Sequence, residues 1–405
     1  MNKNTGVTAP LGFRASGVHA GVKPGTVKPD LALILADVDC NAAAVFTTNI
    51  VQAAPIKISK VHLLNKKARA IIINSGNANA CAPNGEVNAL RVCKALSSAA
   101  NIDVGDIIIN STGVIGQALP VEKIENAIPA LFEGLSENGG DDAAGAIMTT
   151  DTVKKQVDIT REIYGKKVTL GGMAKGSGMI HPNMATMLCA ITTDCAISPE
   201  MLQNALNGAV NRSFNRVSVD GDTSTNDMVA ALASGLAGNA LINTHNDDYN
   251  IFCEMLDYCC LTLAKMIAKD GEGAKKLLTC QVSGAASEED AIKLSKSVIM
   301  SSLVKTAMTG ADANWGRILC AMGYAGAAFN PSDVNVAFRS QKGRVDVCKG
   351  GVGLPFDENL AKAILECDEI EIICDMAQGG CGYAAEAYGC DLTVDYVKIN
   401  GDYRT

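Results

Sequence analysis

The chain has 405 residues and a mass of 42.1 kDa, room for two to three domains, at roughly 150 residues each, or one large two-part unit. Its composition is 48% hydrophobic and 19% charged, with 39 glycines against 11 prolines, which describes a compact, turn-rich globular protein with ample core. A net charge of −8 argues against a dedicated nucleic-acid binder, which needs a basic face, and no apolar run approaches the roughly eighteen residues of a membrane span.

In chain order, short β-branched or apolar runs predict strands over 31–36, 70–74, 107–110, 168–171, 187–192, 334–338, 370–374 and 392–399. Longer periodic stretches predict helices over 86–99, 199–210, 227–237, 248–268 and 288–309. The last opens with Ser287 followed by Glu288, Glu289 and Asp290, charges that suit a helix N-terminus. Exposed links are expected at 133–141, 243–248 and 330–333 from their Gly, Asn and Asp content. Strands and helices do not alternate regularly. Two long helices expected over 227–268 and a cluster of strands near the C-terminus argue for a layered helix–sheet sandwich over a doubly wound sheet.

Fifteen scattered cysteines form no CxxC, and many sit inside apolar runs. Buried thiols in a reducing cytosol fit this better than a disulfide framework. His19, His62, His181 and His245 are far apart, so zinc is not expected. The start from Met1 to Gly6 leads into no apolar segment of the secretory kind.

Several segments carry chemistry beyond turn formation. The stretch KGSGMIHPNMATML at 175–188 packs Gly, Pro and Asn before an apolar run that begins at Thr186. A cut between Ala185 and Thr186 would give Thr186 both a hydroxyl and a free α-amine. That amine titrates near about 7.7–8.0 against about 10.4 for lysine, so part of it is neutral at pH 7 and can take the hydroxyl proton. NSTGVIG at 110–116 follows an apolar strand and can aim main-chain amides at one point, as an oxyanion hole requires. INSGNANAC at 73–81 is polar and leaves another strand. DGDTSTND at 220–227 resembles half of a calcium loop. Its twelfth position is Ala231 and its sixth Thr225, so it cannot bind calcium. It reads as a turn into the helix expected from Asp227, capped by Asn226 or Thr225. Glu272 lies between two glycines at the end of a long helix.

Taken together, these segments resemble the ornithine acetyltransferase (glutamate N-acetyltransferase) family of arginine biosynthesis. MTTDT at 148–152, DANWGRI at 312–318, GCDLT at 389–393 and the DYRT ending at 402–405 extend the resemblance over nearly the whole chain. The resemblance implies self-cleavage between Ala185 and Thr186 into an α chain of 1–185 and a β chain of 186–405, associated as α₂β₂. It also implies a layered α/β fold with Thr186 as an N-terminal nucleophile that forms an acetyl-enzyme. By the same resemblance, Thr112 and Gly113 form the oxyanion hole, and Thr152, Lys175, Thr186, Glu272, Asn400 and Thr405 contact substrate. The implied substrates are N-acetylornithine and glutamate, with acetyl-CoA a possible second acetyl donor and no metal or other cofactor. His181 is left as a structural residue of the turn.

Charge matching adds that Lys175 suits an α-carboxylate and Glu272 the side-chain ammonium of ornithine. Arg404, Lys275 and Lys276 are candidates for the far end of glutamate. Departures from the family pattern, at Ala82-Pro83-Asn84, Tyr388 and Gly401, touch neither the nucleophile nor the oxyanion pair. Two rivals remain at this point: a self-cleaving amidohydrolase or aminopeptidase, and a non-enzymatic binding module.

Overall fold

The computed structural model describes residues 5–181, 187–376 and 382–401. Its strands are β1 (Phe13–Val18), β2 (Leu31–Phe46), β3 (Lys67–Asn77), β4 (Ile107–Val114), β5 (Lys155–Ile163), β6 (Lys166–Lys175), β7 (Leu188–Thr193), β8 (Val217–Ser218), β9 (Met228–Ala233), β10 (Leu277–Ala285), β11 (Val334–Ser340), β12 (Gly343–Lys349), β13 (Val352–Gly353), β14 (Glu369–Met376) and β15 (Tyr383–Cys390). Its helices are α1 (Ala54–His62), α2 (Gly85–Ala100), α3 (Val121–Glu133), α4 (Gly140–Ala146), α5 (Pro199–Arg212), α6 (Asp247–Lys269), α7 (Glu288–Met300), α8 (Ser302–Thr309), α9 (Trp315–Gly323), α10 (Glu358–Leu365) and α11 (Val394–Asn400).

The strands form two mixed sheets. The first runs β4-β3-β2-β9-β7-β6-β5, with β1 added on β2. The long β2 serves different neighbours along its length. Its first half pairs with β1 and β3, and its second half, Asn41 to Phe46, pairs with β9. The β3–β4 and β7–β9 pairs are parallel. The second sheet runs β13-β12-β11-β14-β10-β15-β8.

Alternation along each strand sends neighbouring residues into different cores. Leu31, Leu33, Ile72 and Ile109 pack with α2 and α3, while Ala32, Ile34, Ile71 and Ile73 enter a separate core with α4. A third core lies under α5 and α6, and a fourth joins the second sheet to α7 through α10. Phe252, Met255, Leu256, Cys259, Cys260, Leu263 and Ile267 recur at the three- and four-residue spacing of one helix face. With that face α6 packs on β5 and β6, and it also reaches β10 and β15, so it ties the two sheets together.

The layered α/β sandwich expected from the sequence is therefore present, with three corrections. The stretch 227–237 contains strand β9, not a helix. Ala-rich MVAALA favours helix locally, but between β2 and β7 its residues fill two cores at period two, Val229 and Ala231 on one face and Ala230 and Leu232 on the other. The stretch 392–399 is not a strand: Thr393 accepts from the Asp395 amide and starts α11. The single helix expected over 288–309 is two helices, because Ser301 turns extended (ψ 113) and caps α8 by accepting from Val304. The described cysteines are free thiols, most of them buried, as the sequence implied.

Candidate active site

The ends of the first sheet's strands surround a cleft of about 750 Å³, partly open to solvent. Thr112 and Gly113 come from the end of β4 and Lys175 from the end of β6. Met187 and Leu188 enter at the start of β7, Asp227 just before β9, Glu272 from the turn after α6, and Asn400 from the last residue of α11. Sequence positions from 112 to 400 thus meet in one cavity.

Gly113 occupies a position only glycine tolerates. Its φ is +130°, and a Cβ there would stand 2.3 Å from the Gly76 carbonyl carbon. Removing that side chain lets β3 and β4 close tightly around the end of the ladder. A buried amide network holds this end. Ser111 Oγ donates to Asn74 Oδ1 at 2.6 Å, and Asn226 Nδ2 donates to the carbonyls of Ala78 (2.6 Å) and Ser111 (2.8 Å). Asn110 Nδ2 in turn donates to the Asn226 carbonyl at 2.9 Å. Networks satisfied at this level rigidify the strand ends they join.

A second cluster is ionic. Lys155, fully buried, lies 2.7 Å from Asp151 Oδ1 and 2.5 Å from Asp270 Oδ2. Asp151 also accepts from the Gly176 amide at 2.8 Å and stands 4.0 Å from the Lys175 ammonium. Burial would raise the Asp151 pKa, but Lys175, Lys155 and the Gly176 amide outweigh it and hold the carboxyl well below the usual range. Lys175 has the opposite balance. Burial lowers its pKa, and Lys155 adds to that, while Asp151, Glu272 and Asp227 act in the other direction. Its ammonium is loosely held, 3.5 Å from Thr112 Oγ1.

Glu272 is buried at 7% exposure, contrary to the solvated position expected of a loop glutamate. Its amide donates to the Ser177 carbonyl at 2.9 Å, and its Oε2 accepts from Asn400 Nδ2 at 2.7 Å. Gly178 makes the space: a Cβ there would stand 2.3 Å from the Glu272 carboxyl carbon. The turn around Met179 and Ile180 is pinned by Asp220, which accepts from the amides of Met179 (2.6 Å) and Ile180 (2.8 Å).

Thr112, Gly113, Lys175, Glu272 and Asn400 are thus brought together. Thr152 is placed elsewhere. It is exposed, its amide and hydroxyl both donate to Asp270, and Thr149 and Thr150 take the places in the lining. Ala185, Thr186 and Thr405 lie outside the described residues, as does Arg404. Lys276 is not available to a substrate, because its ammonium donates to the carbonyls of Met308 and Leu365. His181 stands off the lining, its ring 3.2 Å from Ser218 Oγ. Sequence reasoning missed Asp151, Lys155, Asn226 and Asp227. Asp227 was obscured because a carboxylate opening a helix needs no further explanation, whereas one opening a buried strand does.

A lysine, a carboxylate, an amide and a glycine-shaped strand end converging at the edge of a layered α/β sheet define an enzyme site for a small polar substrate. A family model described as ArgJ family matches residues 14–405. The arginine biosynthesis bifunctional protein ArgJ of Caldanaerobacter subterraneus subsp. tengcongensis is 48% identical over 400 residues, 98% of each chain. ArgJ 1 of Clostridium acetobutylicum is 47% identical over 405 residues, covering 100% of this chain and 98% of its own. A crystal structure of the Bacillus halodurans protein of the same name shares 43% identity over 52% of this chain and 96% of that one, with a TM-score of 0.48. The chain belongs to the ArgJ family.

Proposed function

We propose that the chain is an acyltransferase of arginine biosynthesis, a glutamate N-acetyltransferase. It moves the acetyl group of N2-acetyl-L-ornithine to L-glutamate through an acetyl ester on Thr186. The observation that carries this reading is the convergence of Thr112, Gly113, Lys175, Glu272 and Asn400 on the cavity that Met187 also lines, one residue beyond Thr186.

In this reading the chain is cut between Ala185 and Thr186, into 1–185 and 186–405. The first sheet draws β1 to β6 from one side of that boundary and β7 and β9 from the other, with Lys175 paired to Leu188 across it. Main-chain hydrogen bonds would therefore keep the two pieces together. The Thr186 hydroxyl attacks the acetyl carbonyl, its proton passes to the Thr186 α-amine, and the developing oxyanion is taken by Thr112 and Gly113. Each such donor contributes about 2.7–4 kcal/mol to lowering the barrier. The amine returns the proton to the leaving nitrogen, ornithine departs, and glutamate accepts the acetyl group. One amide replaces another, so no nucleotide is needed.

Lys175 would hold the α-carboxylate common to both substrates, and Glu272, oriented by Asn400, the ammonium of ornithine. Thr405 is proposed to contact substrate. Thr152 is proposed to act through Asp270, which its amide and hydroxyl contact. We propose acetyl-CoA as a second donor, in keeping with the word bifunctional in the relatives' names, together with an α₂β₂ assembly and a cytoplasmic location.

Incubation with acetylornithine tests the reading. Ornithine release should require glutamate, and release at an equal rate without it would make the protein a hydrolase. Thr186→Ala should stay one 42.1 kDa band and transfer nothing. Formation of N-acetylglutamate from acetyl-CoA and glutamate tests the second donor.

A further inference from the structure

Lys175 and Glu272 face one cavity from separate segments of the chain. A buried bridge of charge spans the gap between those segments. Asp151 is fastened to the Lys175 segment: it accepts from the Gly176 amide at 2.8 Å and stands 4.0 Å from the Lys175 ammonium. Asp270 belongs to the Glu272 segment, on the turn that follows α6. Lys155, whose side chain has no exposed surface, joins the two. It donates to Asp151 Oδ1 at 2.7 Å and to Asp270 Oδ2 at 2.5 Å.

Further ties run the same way. Ser177 Oγ donates to the Asp270 carbonyl at 2.6 Å, and the Ser177 carbonyl accepts from the Glu272 amide at 2.9 Å. From the solvent side, the Thr152 amide (3.0 Å) and hydroxyl donate to the Asp270 carboxylate. A buried ion cluster is a poor source of net stability, because desolvation consumes much of the attraction between its members. What it fixes is separation. Two carboxylates that share one ammonium cannot drift apart without leaving a charge unpaired in the interior. None of Asp151, Lys155 and Asp270 lines the cavity, so the cluster acts on a substrate only through Lys175 and Glu272.

We propose that the Asp151–Lys155–Asp270 bridge sets the length of substrate that the site accepts, with Lys155 as a positioning residue for Lys175 and Glu272. This rests on the reading that Lys175 holds the α-carboxylate and Glu272 the side-chain ammonium. The acetyl group sits on the α-nitrogen, beside the carboxylate. A side chain one methylene too long or too short therefore meets Glu272 only by pulling the acetyl carbonyl away from Thr112 and Gly113. A misplacement of about 1 Å costs on the order of 100-fold in rate. The donor class selected is an N2-acetylated α-amino acid with a cationic side chain of ornithine's length.

The test measures transfer to glutamate from three donors: N2-acetylornithine, N2-acetyl-lysine with one methylene more, and N2-acetyl-2,4-diaminobutyrate with one fewer. The wild type should prefer acetylornithine by about 10- to 200-fold in kcat/KM over each neighbour. Lys155→Met should cut both preferences about 10-fold or more, with acetylornithine losing the most. Thr152→Val, at an exposed position, removes the hydroxyl bond to Asp270 and should lower both preferences about 3-fold, while Thr152→Ser should restore them. A folded Lys155→Met that loses transfer from all three donors in equal proportion overturns the proposal, since a purely structural lysine predicts that result. If Lys155→Met does not fold, Thr152→Val decides, and wild-type preferences in that variant overturn the proposal. A wild type that transfers from acetylornithine without discriminating by length overturns it and leaves the proposed function intact. A wild type that transfers from none of the donors overturns both.

Discussion

In the first sheet the buried lysines meet carboxylates: Lys155 lies between Asp151 and Asp270, and Lys175 faces Asp151. In the second sheet's neighbourhood they meet main-chain carbonyls. Lys276 donates to Met308 at 2.6 Å and Leu365 at 2.7 Å, and Lys305 donates to Val219. The difference separates packing from function. A lysine closed onto two carbonyls has spent its donors on the fold. Lys175, with contacts at 3.5 Å and 4.0 Å, retains donors for a ligand while Asp151 offsets the cost of burying its charge. Lys155 lies between these cases, since it stabilises the carboxylate that serves Lys175.

Removing each lysine tests that contrast. The largest loss of stability should come from Lys155→Met, which leaves Asp151 and Asp270 short of their shared cation. Urea unfolding should show a cost of about 3–5 kcal/mol. Lys175→Met should leave the unfolding midpoint close to wild type and lower acetyl transfer roughly 10- to 100-fold, since a hydrogen bond to a charged group contributes about 1.5–3 kcal/mol. Lys276→Met should do the reverse. It costs about 1–3 kcal/mol for each orphaned carbonyl and leaves the transfer rate per folded molecule unchanged. If the two variants behave alike, the contrast is wrong.

Gly113→Ala sharpens the comparison at the oxyanion end. The added methyl meets the β3 main chain, so stability should fall by about 1–3 kcal/mol, with transfer falling further than Lys276→Met at matched stability. The smallest expected effect is on pH dependence. Burial, with Lys296 adding to it, lowers the His181 pKa to about 4. The unfolded chain binds a proton there below about 6.5, and the folded chain resists it, so this contribution to stability is lost as pH falls from about 6.5 toward about 4. Asp151 works lower: its carboxylate is favoured in the fold, and that stability is lost as pH falls below the unfolded value of about 3.9. Chemical unfolding at about pH 7 and about pH 5 should show a shallower slope in His181→Asn.

Much of the site was legible as residue types at the ends of apolar runs. Ile107, Ile108 and Ile109 announce β4, and the Gly after Thr112 announces a strand end with an unusual conformation. The Gly-rich stretch at 175–178 likewise marks a turn, and its glycines prove to make room for Glu272 and for Ile180. The acid side of the site was not legible. Asp151 and Asp227 are ordinary polar residues until Lys155, Lys175 and Met187 are placed around them, and those neighbours come from other strands. The burial of Glu272 was not legible either, because nothing local shows that Ser177, Gly178 and Asn400 enclose it.

The sequence by itself determined the local elements whose pattern is strong. The β-branched runs of β3 and β4 and the long apolar stripe of α6 are set by side-chain shape and spacing, which act within a few residues. Only the tertiary structure decided the elements where local preference was opposed. MVAALA became β9 because a central place between β2 and β7 buries both of its faces, a gain larger than the helix preference of alanine. It also decided that Lys175 and Asp227 share a cavity, since burial and charge become determinate only when distant segments exclude water together.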